Sequence, residues 1–164
     1  MPTVSTGVMR RRGYLAALVE RGLTPDPRLV VESGYTEEGG ARAAQRLLAL
    51  TDRPTAIFAV TDMTAVGAFG VARRMGLRIP EELAIVGYND IPLATRMAPS
   101  LTTVHVPIHE FGAAAARLLL EQIDSGEPSR RRVLFNPELI VRGSTLAGAG
   151  SVASSQLVPA FATE

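Results

Sequence analysis

Apolar and polar positions along the chain follow two patterns, one typical of buried strands and one typical of amphipathic helices. Strand-like runs, apolar on both faces or extended, occupy residues 28–35, 55–62, 83–87 and 100–107. Apolar residues that recur every three or four positions predict helices over residues 13–22, 36–50, 63–77 and 110–127. A last stretch, residues 131–144, predicts two further short strands.

The alternation of the two patterns indicates the fold class. Strands separated by helices are typical of βαβ units, in which a helix joins two parallel strands. We therefore expect an α/β fold with a parallel, doubly wound sheet flanked by helices. Thr36, followed by two glutamates, predicts a helix start. Residues 146–164 are rich in Ala, Ser and Gly, a composition that favours a disordered tail.

Composition and charge exclude several classes of function. The 164 residues carry a net charge of +1, so no overall basic surface for nucleic acid or membranes is expected. Cysteine is absent and only two histidines are present, which excludes thiol chemistry and argues against a structural zinc site. No apolar run approaches the roughly 20 residues of a membrane span. The start "MPTVSTGVMRRRG" has no signal-peptide pattern, so we expect a cytoplasmic protein.

Three of the predicted strands end in polar or aromatic residues. These ends are Gly34-Tyr35, Thr61-Asp62 and Asn89-Asp90. In open α/β sheets, ligands bind beyond the carboxyl ends of the strands. An aromatic ring, a hydroxyl, carboxylates and a carboxamide together suit a small ligand with many hydroxyls or a polar ring.

Each of these residues also has a structural interpretation. Asp62 precedes a helix and is a suitable N-cap. Asn89 and Asp90 can form an Asx-type turn, and Tyr35 can pack under a loop. Both interpretations stay open for every position taken singly. The coincidence of all three pairs at one edge of the sheet is what favours a binding site.

Other candidate motifs are weaker. The chain contains no G-x-G-x-x-G, P-loop or G-x-S-x-G pattern, and an Asp–His pair involving His105 has no nucleophile near it. We therefore expect neither enzymatic activity nor a cofactor. The run Arg10–Arg12 suits either a DNA-binding patch or the first turn of a helix that directs one arginine inward.

Residues 53–107 resemble the C-terminal part of the LacI/GalR transcriptional regulators of bacteria. The motifs PTAIF, GLRIP, VGYND and PSLTTV occur in the family's order and spacing. The segments RRRGYLAAL and NPELIVRGST extend the resemblance over residues 4–145. It implies a periplasmic-binding-protein-like fold of type I, mainly the C-terminal subdomain. Residues 1–145 would then be a partial effector-binding and dimerisation domain, with residues 110–133 belonging to the N-terminal subdomain.

The resemblance also implies which residues contact the effector. They are Arg10, Thr6, Tyr35, Thr61, Asp62 and Asn89. Tyr35 matches an aromatic residue that stacks on the effector. Asn89 stands where many members carry an aspartate. Because an amide donates as well as accepts hydrogen bonds, this departure allows a different ligand.

The function implied is that of the ligand-sensing and dimerisation part of a regulator. The effector would be a sugar or a nucleobase-like metabolite, and residues 64–77 with 91–99 resemble the family's dimer contact. Operator DNA would be bound by a helix-turn-helix headpiece, to which nothing in this sequence corresponds. The alternative is the solute-binding protein of a sugar transporter, which shares the fold but needs an export signal.

Overall fold

The computed structural model describes residues 5–126 and 131–146, and the rest of the predicted tail lies outside these residues. The α/β fold class is confirmed. In chain order the elements are α1 (Ser5–Glu20), α2 (Glu37–Leu48), β1 (Ala56–Phe58), α3 (Asp62–Arg74), β2 (Ala84–Asn89), β3 (Thr102–His105), α4 (Ile108–Ser125) and β4 (Glu138–Ile140).

The four strands form one sheet in the order β1-β2-β3-β4. Strands β1, β2 and β3 are parallel, with Ile57 opposite Ile85 and Gly87 opposite Thr103. The predicted parallel sheet is thus confirmed for these three, while β4 pairs antiparallel to β3. Only one of the two strands predicted over residues 131–144 forms. Residues 131–137 stay irregular, and Phe135 contacts Phe111 of α4 edge to face, with 6.0 Å between ring centroids.

The strand predicted over residues 28–35 is wrong. Pro27–Leu29 form a 3-10 turn capped by Asp26, and the residues that follow join no strand of the described chain. A cavity of about 630 Å³ separates this segment from the edge strand β1, and both Val31 and Phe58 line it. The segment is apolar enough for a strand, but it belongs to no sheet in the described part of the chain.

The core lies between the helix pair α2–α3 and the sheet. Leu83, Ile85 and Leu101 are completely buried there. The two helices approach each other closely, because a Cβ added at Gly40 would collide with the backbone of Thr64. A Cβ at Gly67 would likewise collide with the backbone at the start of α2. Glycine at both positions therefore brings the N-terminal ends of α2 and α3 together.

Helix α4 is organised differently, since none of its residues is buried. The large apolar side chains it exposes are those of Ile108, Phe111, Leu119, Leu120 and Ile123. It follows Pro107 without a side-chain cap and ends at Gly126, which adopts a left-handed conformation. The helix predicted over residues 110–127 is confirmed, but within the described chain most of its apolar face is uncovered, apart from the contact of Phe111 with Phe135.

Candidate ligand site at the carboxyl edge of the sheet

The site begins where β1 passes into α3. The Thr61 hydroxyl accepts a hydrogen bond from the Thr64 amide, and the Thr64 hydroxyl accepts one from the Thr61 amide. This reciprocal capping box makes Thr61 the N-cap of α3. The structural interpretation of Asp62 as the N-cap is therefore wrong, because Asp62 is the first helical residue. Thr61 is 8% exposed, so the cap leaves little of its side chain accessible.

Arg10 connects helix α1 to the ends of two strands. Its guanidinium donates a hydrogen bond of 2.6 Å to the carbonyl oxygen of Val60, which follows β1. The guanidinium carbon lies 3.7 Å from the ring centroid of Tyr88 in β2, a cation–π contact. Arg11 and Arg12 are exposed. One arginine of the run is thus directed inward as predicted, although the helix begins earlier, at Ser5.

Arg10 and Tyr35 both line the cavity of about 630 Å³. Gly34 has a positive φ of 66°, which turns the chain just before Tyr35. Thr36 then caps α2 by accepting a hydrogen bond of 3.1 Å from the Gly39 amide, as predicted. The pKa of Glu38 lies below its ordinary value because its own amide and the Thr36 hydroxyl hydrogen-bond its carboxylate. Thr36 and Glu38 themselves do not line the cavity, whose wall carries Ser33 and Tyr35 together with the apolar Val30, Val31 and Phe58.

The turn after β2 has an uncommon backbone conformation. Asn89 and Asp90 have φ values of 119° and 59°, which residues other than glycine rarely adopt. Each such residue costs about 1–3 kcal/mol, and the conformation persists only where surrounding contacts hold it in place. Arg142 donates a 2.8 Å hydrogen bond to one oxygen of Asp90, and His105 Nδ1 lies 3.1 Å from the other. Asp90 therefore joins β2 to β3 and to the segment after β4.

Asp62 lies inside the protein rather than on the cavity wall. It is completely buried. One carboxylate oxygen accepts a hydrogen bond of 2.8 Å from the Ile91 amide, and the other accepts one from the Thr103 hydroxyl. A carboxylate that is buried and hydrogen-bonded at both oxygens avoids the cost of an unpartnered charge.

The structure brings the predicted site residues to one end of the sheet at different depths. Arg10 and Tyr35 line the cavity, Thr61 and Asn89 lie at the strand ends, and Asp62 lies below them. Thr6 is exposed, one turn of α1 before Arg10. Within the described residues, the side chain of Asn89 takes part in no hydrogen bond seen in the structure, which leaves its amide available to a ligand.

Sequence reasoning missed three residues of this region: Tyr88, Thr103 and Arg142. Tyr88 belongs to the G-Y-N-D motif, but the pattern of polar strand ends indicates only Asn89 and Asp90 of that motif as site residues. Arg142 follows β4 and is separated from Asp90 by 52 positions, so no local pattern connects them. The sequence offers an Asp–His pair involving His105 only as a weak catalytic candidate, whereas in the structure His105 contacts Asp90 at the turn.

The arrangement offers hydrogen bonds, a cation and aromatic faces rather than metal ligands. In the part of the chain that the structure describes, no three His, Asp or Glu side chains converge as a metal ion would require. None of the described helices is both long enough and apolar enough to cross a membrane.

Comparison with known proteins identifies the relatives of the chain. The family described as "Periplasmic binding protein-like domain" matches residues 2–145. The HTH-type transcriptional repressor CytR of Escherichia coli (strain K12) is 41% identical over 138 residues, which are 84% of this chain and 40% of the repressor. The repressor PurR of Edwardsiella ictaluri (strain 93-146) is 38% identical over 144 residues, 88% of this chain and 42% of the repressor.

A solved structure agrees with these relatives. The complex of the transcriptional regulator CelR with cellobiose superposes with a TM-score of 0.80 at 35% identity, covering 84% of this chain and 42% of that one. The chain thus spans about 40% of the length of the curated relatives it matches.

Proposed function

The chain belongs to the family of periplasmic binding protein-like domains, and we propose that it is the ligand-sensing and dimerisation part of a LacI/GalR-type transcriptional regulator. Its homologues are transcriptional repressors, which does not favour the transporter alternative. The proposed function is binding without catalysis. A regulator of this kind acts where operator DNA is, so we infer a cytoplasmic location.

The observation that carries the proposal is the position of Arg10. It contacts the ends of β1 and β2 through Val60 and Tyr88, and it also lines the cavity that Tyr35 lines. A ligand at this edge would meet a guanidinium, an aromatic ring and the unpartnered amide of Asn89. Charged and bidentate hydrogen-bonding groups beside an aromatic face suit a hydroxyl-rich or ring-shaped polar molecule.

We infer that the effector is a sugar or a nucleobase-like metabolite. The related CelR was solved with cellobiose, which supports the sugar class. Asn89 offers both a donor and an acceptor, so it can bind a sugar hydroxyl or the edge of a heterocycle equally well. Thr61 and Thr6 are secondary contacts in this proposal, because Thr61 is nearly buried and Thr6 lies at the start of α1.

The proposed dimer contact uses residues 64–77 and the segment 91–99. Exposed apolar side chains support it, since Met75 is 48% and Leu93 42% exposed. Burial of such side chains against a second copy would remove apolar surface from water. A homodimer would also give the regulator the two-fold symmetry that paired operator half-sites require.

The uncovered face of α4 fits a neighbouring subdomain in the longer protein. We infer that residues 110–133 belong to that subdomain, which would cover the exposed side chains of Phe111, Leu119 and Ile123. The effector would then lie between the two subdomains and favour one closure over the other. That population shift would change operator affinity through a headpiece outside this chain.

The proposal is tested by ligand screening followed by substitution. Thermal denaturation of the full-length regulator with a panel of saccharides and nucleosides, cellobiose included, should reveal a compound that raises the Tm. With that compound, Asn89→Ala should weaken binding about ten- to a hundredfold, the equivalent of about 1–3 kcal/mol.

The matched control is Gln45→Ala, which removes an exposed carboxamide from the C-terminal half of α2, away from the end of that helix that lies near Tyr35. It should leave the affinity unchanged. Equal affinity of wild type and Asn89→Ala for the compound would contradict the assignment of Asn89 as an effector contact.

A further inference from the structure

The buried carboxylate of Asp62 occupies a space that is built for it. A Cβ at Gly87 of β2 would collide with Oδ1 of Asp62, so glycine at this position makes room for the carboxylate. Asp62 is the first residue of α3, where the helix N-terminus favours a negative charge. No arginine of the described residues forms an ion pair with it, and its partners are an amide and a hydroxyl.

Both partners of Asp62 lead to the same turn. Oδ2 accepts a hydrogen bond of 2.8 Å directly from the Ile91 amide. Oδ1 accepts the hydroxyl of Thr103, whose oxygen in turn accepts a 3.4 Å hydrogen bond from the Asp90 amide. Two consecutive amides that follow Asn89 are therefore held, directly or through Thr103, by one side chain.

The turn needs such support because its backbone is strained. Asn89 and Asp90 both have positive φ values, and neither is glycine. The Asn89 side chain has no hydrogen bond to described residues, so the backbone of the turn decides where this side chain projects from. Arg142 and His105 hold only the carboxylate of Asp90. The hydrogen bonds to the two amides after Asn89 come from Thr103 and Asp62.

We propose that Asp62 is a positioning residue: its buried carboxylate holds the 89–91 backbone in the conformation that presents Asn89 to the effector, without contacting the effector itself. The role of Asn89 rests on the proposed function, whereas the support of the turn does not. The two parts can therefore fail separately.

Amide hydrogen exchange in the 164-residue chain tests the support of the turn without any ligand. The Ile91 amide is compared with the Ile85 amide, which donates to the carbonyl oxygen of Ser144 in the core. In Asp62→Ala, exchange at Ile91 should become about ten- to a hundredfold faster relative to Ile85, because a charge-assisted hydrogen bond is lost. General destabilisation would accelerate both amides and leave their ratio unchanged, a result that would overturn the proposal.

Two further variants complete the test. Asp62→Asn keeps an oxygen that can accept the Ile91 amide, so the ratio should return to near the wild-type value. Asp26→Ala is the matched control, since Asp26 also accepts a backbone amide, that of Arg28, but away from the turn. It should leave the ratio unchanged.

If Asp62→Ala does not fold, Thr103→Val removes only the hydroxyl that connects Asp62 to the Asp90 amide. Exchange at Asp90 should then accelerate relative to Ile85, and an unchanged ratio would contradict the proposal.

A raised ratio together with no binding of any saccharide or nucleoside would retain the support of the turn and reject the proposed function. An unchanged ratio together with weakened binding in Asn89→Ala would support the proposed function and reject the support of the turn by Asp62.

Discussion

Helix α3 buries eight of its thirteen residues, whereas helix α4 buries none of its eighteen. Both have apolar residues at helical spacing, so periodicity alone does not distinguish them. The difference is that α3 meets α2 and the sheet within this chain, while the described residues leave the apolar face of α4 uncovered. Helical periodicity therefore indicates that a helix has an apolar face, but not which surface covers that face.

The largest effect should come from truncating a core side chain. Leu83→Ala leaves a cavity at a completely buried position and should lower the free energy of unfolding by about 2–5 kcal/mol. Leu120→Ala in α4 removes a side chain that is 58% exposed and should change it little. Denaturant unfolding of both variants measures how much free energy of unfolding each one loses. Equal losses would mean that α4 is packed as tightly as the core.

The same glycine-to-alanine change should have opposite signs in the two regions. At Gly67 the new Cβ would collide with the α2 backbone, so Gly67→Ala should destabilise by about 1–3 kcal/mol. At Gly112 of α4 the Cβ meets nothing within 4 Å. Gly112→Ala should therefore stabilise by about 0.4–1 kcal/mol, because alanine favours the helix.

Thermal unfolding of these two variants shows directly whether each substitution raises or lowers the Tm. A stabilising Gly67→Ala would show that α2 and α3 do not approach each other as closely as described.

A smaller effect than that of Gly67→Ala concerns the caps. Helix α2 is capped by Thr36, whereas α4 follows Pro107 without a side-chain cap. Thr36→Ala should cost about 0.5–2 kcal/mol at neutral pH. Because the Thr36 hydroxyl also helps to hold the pKa of Glu38 below its ordinary value, the carboxylate stabilises the fold above the unfolded pKa. That contribution is lost as the pH falls through the folded pKa.

Unfolding of wild type and Thr36→Ala should therefore differ most at neutral pH and less in acid. A difference that grows as the pH falls would contradict the assigned hydrogen bond between Thr36 and Glu38.

Features set by neighbouring residues were predictable from the sequence, and features set by distant contacts were not. The Thr36 cap depends on the next three residues, and it is confirmed. The predicted strand over residues 28–35 depends on a partner strand, which local composition does not reveal. The contact of Arg142 with Asp90 spans 52 positions and was missed for the same reason.

The same difference between local and distant contacts applies to the candidate site. The polar strand ends were identified because the carboxyl ends of parallel strands share one edge of the sheet. The depth of a side chain was not predictable from the strand pattern, since Asp62 and Asn89 both belong to polar pairs at predicted strand ends but only Asp62 is completely buried. Burial is decided by what packs above a residue, here Thr103 and the 89–91 turn.

The most direct test of ligand sensing at this edge is calorimetric titration of the full-length regulator with the compound that raises its Tm. Arg10→Ala is compared with Arg12→Ala, which removes an exposed arginine from the same helix. We predict that Arg10→Ala weakens binding at least about tenfold, because one charged hydrogen bond to the compound is lost. Arg12→Ala should bind the compound like wild type. Equal affinities of the two variants would contradict a binding site built around Arg10.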